Sequence, residues 1–176
     1  MKEYDLNKLL ENKEYLNFKI DEFLRQEILK KQPVVLEEIK GHIAKAEHNL
    51  IFVKDNLKLG HFDWCINGCY YASYHIVLAL ILTKGYASKS HLATLCVLIQ
   101  EFYQKGIDRE DLQLIDSLFI DYQDLTFYVE SKNKREDATY SSTKSFDKKL
   151  VENLRIKALL FIDKVKKIIE NAQNQN

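Results

Sequence analysis

The scarcity of glycine and proline is the feature that most restricts the fold of this chain. Its 176 residues contain five glycines and one proline, whereas these two residue types make up roughly 12% of an average protein. Strands must be joined by turns every few residues, and turns depend heavily on these residue types. A sheet-rich fold is therefore excluded, and the sequence predicts an all-α protein.

Apolar residues recur every three or four positions along four segments, as they do on the buried face of an amphipathic helix. These segments are 35–59, 90–105, 108–129 and 146–171. A fifth segment, 61–84, is apolar on nearly every side and is predicted to be the central helix. Because the connections are short, the sequence predicts an antiparallel up-and-down bundle of four to five long helices.

Pro33 separates this bundle from the segment that precedes it. Residues 4–30 are predicted to form a further helical arm, set off from the bundle because proline is rarely tolerated inside a helix and marks its boundary. The expected division of the chain is an N-terminal helical arm at 1–34, a helical bundle at 35–172 and a frayed terminus at 173–176.

The charges balance overall but not locally. The chain has 26 basic and 26 acidic side chains, yet residues 131–176 contain 11 basic and 6 acidic ones. A protein that binds nucleic acid over its whole surface is normally strongly basic, so any RNA contact must be confined to a patch. Residues 131–145 have no apolar period, carry much of this local positive charge and are predicted to be a loop or a frayed helix end.

Residues 64–83 contain no Asp, Glu, Lys or Arg, and their 20 positions are about the length of a membrane-spanning helix. The stretch nevertheless contains Asn67, Ser73, His75 and three tyrosines, whose polar groups would be costly in lipid. A buried helix is therefore favoured over a membrane span. The three cysteines and the charged opening residues lead us to expect a cytoplasmic protein.

His61, Cys65 and Cys69 are spaced four residues apart, so they share one helix face and could supply three metal ligands. On an apolar central helix the same spacing is more typical of packed thiols beside a histidine at the rim. A fourth ligand is not evident in the sequence. We therefore expect no metal site here and no other cofactor.

Six short motifs occur between residues 46 and 140. In chain order they are AExxL at 46–50, GHFD at 60–63, CYYASYH at 69–75, KGY at 84–86, KSH at 89–91 and REDATY at 135–140. Together they resemble the motifs of the HEPN domain family, and the resemblance covers about residues 40–170. It implies a helical bundle, in agreement with the periodicity.

The resemblance also implies two activities. Many HEPN proteins are ribonucleases that use an Arg-x4-6-His motif, usually paired across a homodimer, whereas others bind nucleotides or act with a minimal nucleotidyltransferase as a toxin–antitoxin-like pair. Arg135 matches the arginine of this motif, but no histidine follows it, because the last histidine of the chain is His91. Tyr140 stands where that histidine would fall, and a phenol with a pKa of about 10 is a poor base near neutral pH. The ribonuclease motif is incomplete.

An incomplete catalytic motif leaves binding intact. A guanidinium can hold phosphate through two hydrogen bonds, and a tyrosine ring can stack on a base. The residues expected at the nucleotide or RNA site are Asp63, Asn67, Tyr74, Lys89, His91, Lys132, Lys134, Arg135 and Tyr140. The candidates for catalysis are Arg135, Tyr140 and His91.

Four residues near these motifs have simpler structural interpretations. Tyr71 and His75 are expected to pack in the core, as buried tyrosine and histidine commonly do. Ser90 is expected to cap the helix that follows it. Gly68, in the middle of a helix, is expected to permit the close approach of another helix.

The leading hypothesis is a homodimer that binds a nucleotide or RNA and acts with a nucleotidyltransferase in a toxin–antitoxin-like or defence system, without a need for catalysis. One alternative is a metal-independent ribonuclease in which Tyr140 or His91 replaces the missing histidine. A second alternative is a non-catalytic interaction protein in which the arm at 4–30 docks a partner helix.

Overall fold

The computed structural model describes residues 4–134 and 147–173, and the side chains of 124–134 fall outside this description. Within the described residues the chain forms seven helices and a small antiparallel ribbon of two strands. The elements are α1 (Leu6–Glu11), α2 (Lys13–Arg25), β1 (Leu29–Lys31), α3 (Leu36–Leu59), α4 (Phe62–Leu82), β2 (Tyr86–Ser88), α5 (His91–Phe102), α6 (Arg109–Lys134) and α7 (Lys148–Gln173). The predicted all-α bundle is confirmed.

The observed helix boundaries lie close to the predicted ones. α3 ends at Gly60, whose φ of 77° lies in the left-handed region that glycine adopts at helix ends. Residues 131–134, part of the segment expected to be a loop or a frayed helix end, form the end of α6, and residues 135–145 lie outside the described residues. Neither glycine nor proline interrupts the sequence between Val129 and Lys134, so nothing local ends the helix there.

α4 is the central helix of the fold. Most of its residues are buried, and it contacts α3, α5, α6 and α7. Among the described residues, α4 is the one helix that is long and apolar enough to cross a membrane, and 78% of its apolar window is buried inside the protein. Such burial is typical of the core helix of a soluble protein.

α3 and α4 run antiparallel and approach each other closely at Gly68. A Cβ atom on Gly68 would lie 2.4 Å from Val53 Cγ2 and 3.1 Å from Phe52 Cδ1. Only a residue without a side chain permits this approach, because such distances are far shorter than ordinary carbon contacts. The prediction for Gly68 is confirmed within the chain.

The N-terminal helical arm contains two helices, α1 and α2. Asn12 ends α1 and caps α2, because its side chain accepts a 2.8 Å hydrogen bond from the backbone N–H of Tyr15. After α2 the chain extends into β1 rather than continuing as a helix. Leu9, Ile20 and Leu29 are buried in the same core as α4 and α5.

The strand β2 pairs antiparallel with β1 and leads into α5. The ribbon pairs Leu29 with Ser88 and Lys31 with Tyr86. The ring of His91, at the start of α5, lies 6.1 Å from that of Tyr74 in the middle of α4. At the C-terminal end of α5, the ring of Phe102 lies 6.0 Å from Nζ of Lys84, which follows the end of α4. α5 therefore runs in the same direction as α4, whereas short connections alone would predict alternation.

Candidate functional site

An aromatic cluster joins α4, α5 and α6 on one side of the bundle. The Tyr70 ring stacks on Tyr122 with centroids 4.4 Å apart and on Tyr74 at 5.7 Å. The His91 ring lies 3.6 Å from that of Phe119, with the two planes only 7° apart. The whole aromatic cluster consists of Tyr70, Tyr71, Tyr74, His91, Phe119 and Tyr122.

Helix periodicity and one cap place these side chains. Tyr70 and Tyr74 are one turn apart on α4, so both rings point to the same side. His91 is the first residue of α5, and the preceding Ser90 caps that helix by accepting a 3.5 Å hydrogen bond from the backbone N–H of Ala93. The predicted role of Ser90 is therefore confirmed.

The aromatic cluster reaches solvent at Tyr71. This side chain is 38% exposed, so the expectation that it packs in the core is wrong. It lies two turns after the exposed Trp64 on the outward face of α4. Its hydroxyl forms a 2.9 Å hydrogen bond with that of Tyr122. This bond, together with partial burial, raises the pKa of Tyr71 to about 12, so Tyr71 is a neutral stacking group near neutral pH.

The inner tyrosines are also neutral near physiological pH. Burial raises the pKa of both Tyr70 and Tyr74. The Tyr74 hydroxyl accepts a 3.4 Å hydrogen bond from Thr94 Oγ1. A phenol with a raised pKa cannot serve as a general base near neutral pH. These two side chains therefore support packing and hydrogen bonding rather than acid–base chemistry.

A small pocket of about 100 Å³ opens beside His91. Sites for small molecules commonly have volumes of roughly 300–1,000 Å³, so this pocket holds waters or the edge of a flat group rather than a whole nucleotide. Its lining residues are Tyr4, Ser90, His91, Leu92, Phe119 and Gln123.

The described part of the predicted site is spread over three places. Tyr74 and His91 meet within the aromatic cluster. Asp63 is exposed in the first turn of α4, and Asn67 lies about one turn further along. Asp63 is about 16 Å along the helix axis from Tyr74, at 1.5 Å per residue. Lys89 is exposed in the connection between β2 and α5.

The HEPN domain model matches residues 39–170 of the chain. The chain belongs to the HEPN domain family. The matched region begins in α3 and ends in α7, so it contains the aromatic cluster and all six motifs. The family resemblance carried by those motifs is therefore confirmed.

Three relatives of this HEPN protein align over most of its length. A UPF0332 protein from Archaeoglobus fulgidus is 27% identical over 141 residues, which are 80% of this chain and 99% of that protein. "Putative toxin MJ0142" from Methanocaldococcus jannaschii is 27% identical over 132 residues, 75% of this chain and 82% of its own. "Putative toxin MJ0605" from the same organism is 26% identical over 136 residues, 77% and 92% respectively.

The basic part of the predicted site lies at and beyond the end of α6. Lys132 and Lys134 belong to the last turns of this helix. Arg135 and Tyr140 lie outside the described residues. Arg135 follows Lys134 directly in the sequence, so three basic residues occur within four positions where α6 ends.

Sequence reasoning missed three aromatic residues at or beside the aromatic cluster. Phe119 and Tyr122 fall on the apolar stripe of α6, which predicts core positions and gives no sign that the rings meet Tyr70 and His91. Tyr4 lines the pocket beside His91 although it belongs to the N-terminal segment. No local spacing can indicate a contact between residues so distant in the sequence.

The cysteines of α4 are packed thiols. Burial raises the pKa of both Cys65 and Cys69, that of Cys69 to about 12. The Cys65 thiol donates a 3.5 Å hydrogen bond to the backbone carbonyl of Val53. Metals bind the thiolate rather than the thiol, so protonated cysteines at these positions are poor ligands. His61 is exposed and stands just before the helix begins.

Proposed function

We propose that this HEPN protein binds a nucleotide or RNA through Arg135 and Tyr140, with Lys132 and Lys134 beside them, as the toxin-like member of a toxin–antitoxin or defence pair. The observation that carries the proposal is the family match over residues 39–170. Two relatives whose names contain the word toxin support the toxin-like role.

The chemistry at the end of α6 suits a phosphate. Lys132, Lys134 and Arg135 concentrate positive charge over four positions, and a cationic patch of this kind attracts the nucleic-acid backbone. The guanidinium of Arg135 offers two parallel hydrogen bonds to phosphate oxygens, whereas the lysines act as point charges. Tyr140 would supply a ring on which a base can stack.

Tyr71 provides a second stacking surface on the described part of the molecule. Its exposed ring is held by the hydrogen bond to Tyr122 of α6, the helix that also carries Lys132. Base stacking on an aromatic side chain is worth roughly 1–3 kcal/mol per base and depends little on sequence. RNA, which can engage both surfaces, is therefore favoured over a single nucleotide.

Catalysis is not required by the proposal. General acid–base catalysis needs a group that titrates near the working pH, and no histidine follows Arg135. His91 is 7% exposed and stacks on Phe119, which restricts its access to a substrate. A metal-independent ribonuclease in which Tyr140 replaces the histidine is the second candidate, and the toxin names of two relatives favour it.

We further propose that the protein is a cytoplasmic homodimer that acts with a minimal nucleotidyltransferase. Support for the dimer comes from three exposed apolar side chains on α3 and α4, here called the α3–α4 face. Exposed apolar surface of this kind is typical of association surfaces. The side chains are Phe52 at 39% exposed, Leu59 at 70% and Trp64 at 58%.

One pair of measurements tests the binding proposal and its alternative. The first is binding of a fluorescent short RNA at low salt, and the second is cleavage of mixed RNA in the presence of a chelator. Both compare the wild type with Arg135→Ala and Tyr140→Phe. Arg25→Ala is the matched control, because Arg25 is an exposed arginine on α2.

We expect RNA binding without cleavage, weakened about tenfold by Arg135→Ala and unchanged by Arg25→Ala, since a charge-assisted contact to phosphate is worth roughly 1.5–3 kcal/mol. Cleavage that is lost in Arg135→Ala would replace the proposal with the ribonuclease. No binding at low salt and high protein concentration would leave the non-catalytic interaction protein.

A further inference from the structure

His42 on α3 and His75 on α4 face each other across the two helices. Their Nδ1 atoms are 2.9 Å apart, and the ring centroids are 5.1 Å apart. Both side chains are half-buried. Two imidazoles form such a hydrogen bond when one Nδ1 carries a proton and the other offers its lone pair. The helices therefore hold two imidazole nitrogens, a type of atom that can ligate metals, 2.9 Å apart.

The surroundings of this pair favour neutral imidazoles. Burial, followed by the nearby charge of Lys45, lowers the pKa of His42, and Glu38 opposes this shift only in part. Burial, followed by His42 and Lys45, lowers the pKa of His75 to about 4. Neutral imidazole is the form that binds metal ions, so both rings are available as ligands near neutral pH.

We propose that His42 and His75 form a binding site for a borderline divalent ion, Zn²⁺, that joins α3 to α4 through the two Nδ1 atoms. Zn–N bonds of about 2.0–2.1 Å in a tetrahedral site place two ligand nitrogens about 3.3 Å apart. The Nδ1 atoms, now 2.9 Å apart, need to separate by only a few tenths of an ångström. Side-chain rotation suffices for such a change.

Binding of Zn²⁺ requires the proton between the two rings to move. Before binding, one ring is protonated at Nδ1 and the other at Nε2. When Zn²⁺ takes both Nδ1 lone pairs, the first ring moves its proton to Nε2 by exchange with water. Both rings remain neutral, and no net proton is released near neutral pH.

The site differs from a closed structural zinc site. Within the described residues no group of three or more His, Cys, Asp and Glu side chains is arranged around a metal. Two imidazoles therefore leave the other positions to water, which makes the ion exchangeable. Imidazole selects Zn²⁺ and its transition-metal neighbours over Mg²⁺, which prefers oxygen ligands.

Titration calorimetry with Zn²⁺ alone tests the site in the full-length protein under reducing conditions near neutral pH. Mg²⁺ serves as the control ion. His42→Gln and His75→Gln each remove one ligand, whereas His48→Gln is the matched control, because His48 is an exposed histidine on α3. We expect one Zn²⁺ per chain for the wild type and His48→Gln, and affinity lower by about tenfold or more for the other two variants.

Nitrogen NMR of the wild-type histidines tests the site without any substitution. We expect one equivalent of Zn²⁺ to shift the Nδ1 signals of His42 and His75 and to leave those of His48 and His61 in place. Shifts at His48 or His61 alone, equal affinity in all variants, or no Zn²⁺ binding would each overturn the proposal. Because no RNA is present, none of these outcomes bears on the RNA-binding proposal.

Discussion

The hydroxyl of Tyr4 donates a 2.6 Å hydrogen bond to Oδ1 of Asp116, a buried carboxyl group on α6, across 112 residues of sequence. Burial and this hydrogen bond raise the pKa of Tyr4, so the phenol is protonated and available as a donor near neutral pH. The bond joins the start of the described chain to the helix whose other end carries the proposed RNA-binding residues.

Tyr4→Phe is expected to destabilise the protein by about 1–2 kcal/mol, because the buried Asp116 loses this donor while the aromatic ring is retained. The measurement is the free energy of unfolding from urea titration. Tyr103→Phe is the control, since Tyr103 is also partly buried and no hydrogen bond of its hydroxyl is described. Equal stability of the two variants would mean that the Tyr4–Asp116 bond contributes no net free energy.

Two glycines in helices should respond oppositely to alanine. Gly68→Ala is expected to cost about 1–2 kcal/mol, because the new methyl group would meet Val53 at 2.4 Å and overpacking outweighs the gain in helix propensity. Gly41→Ala should add about 0.5–1 kcal/mol of stability, because nothing lies within 4 Å of its Cβ position. Thermal or urea unfolding compares both with the wild type. A stabilising Gly68→Ala would contradict the close approach of α3 and α4.

Stability should fall on acidification because of His42 and His75. Both have a folded pKa below the ordinary value of 6.5, that of His75 being about 4. The unfolded chain therefore binds protons first, and stability that is fully present above pH 6.5 is lost as the pH falls towards 4. Because the rings are only half-buried, we expect a loss of about 1 kcal/mol after solvent screening.

Urea titrations at several pH values in chelator measure this loss. His75→Gln should make the free energy of unfolding depend less on pH, because the imidazole that takes up a proton on unfolding is removed. His48→Gln should keep the wild-type slope, because His48 is exposed. An unchanged slope in His75→Gln would show that the acid sensitivity comes from other groups.

Trp64→Lys should weaken the proposed homodimer. Trp64 is 58% exposed on the α3–α4 face, and a buried charge at the centre of an interface costs several kcal/mol, so the dissociation constant should rise about tenfold or more. Ile156→Lys is the control, because Ile156 is 50% exposed on α7, outside this face. Sedimentation equilibrium gives the mass of each variant. A wild type that is monomeric at every concentration would exclude the dimer.

Much of the fold could be predicted because helix formation is largely local. The stripe in α3 and the all-round apolarity of α4 follow from residues within a few turns of each other. The ribbon could not be predicted in this way. Its strands β1 and β2 have only three residues each, and they pair residues as distant in the sequence as Leu29 and Ser88. The direction of α5 follows from that ribbon and was equally inaccessible.

The site was less predictable than the fold. Motif spacing identified Tyr74 and His91, which do meet. It missed Phe119, because an aromatic residue on an apolar stripe is indistinguishable in sequence from ordinary core packing. It also missed the meeting of His42 and His75, which depends on the register of two antiparallel helices rather than on the pattern of either.

The ribbon between β1 and β2 imposes an order of assembly on the molecule. Its strands are separated by the whole of α3 and α4, and closing so long a loop carries an entropic cost that contacts between neighbouring helices avoid. α3 and α4 should thus associate early, and β1 can find its partner only after β2 has been made. The segment that contains α1, α2 and β1 is synthesised before α3 and α4, yet it reaches its place after them.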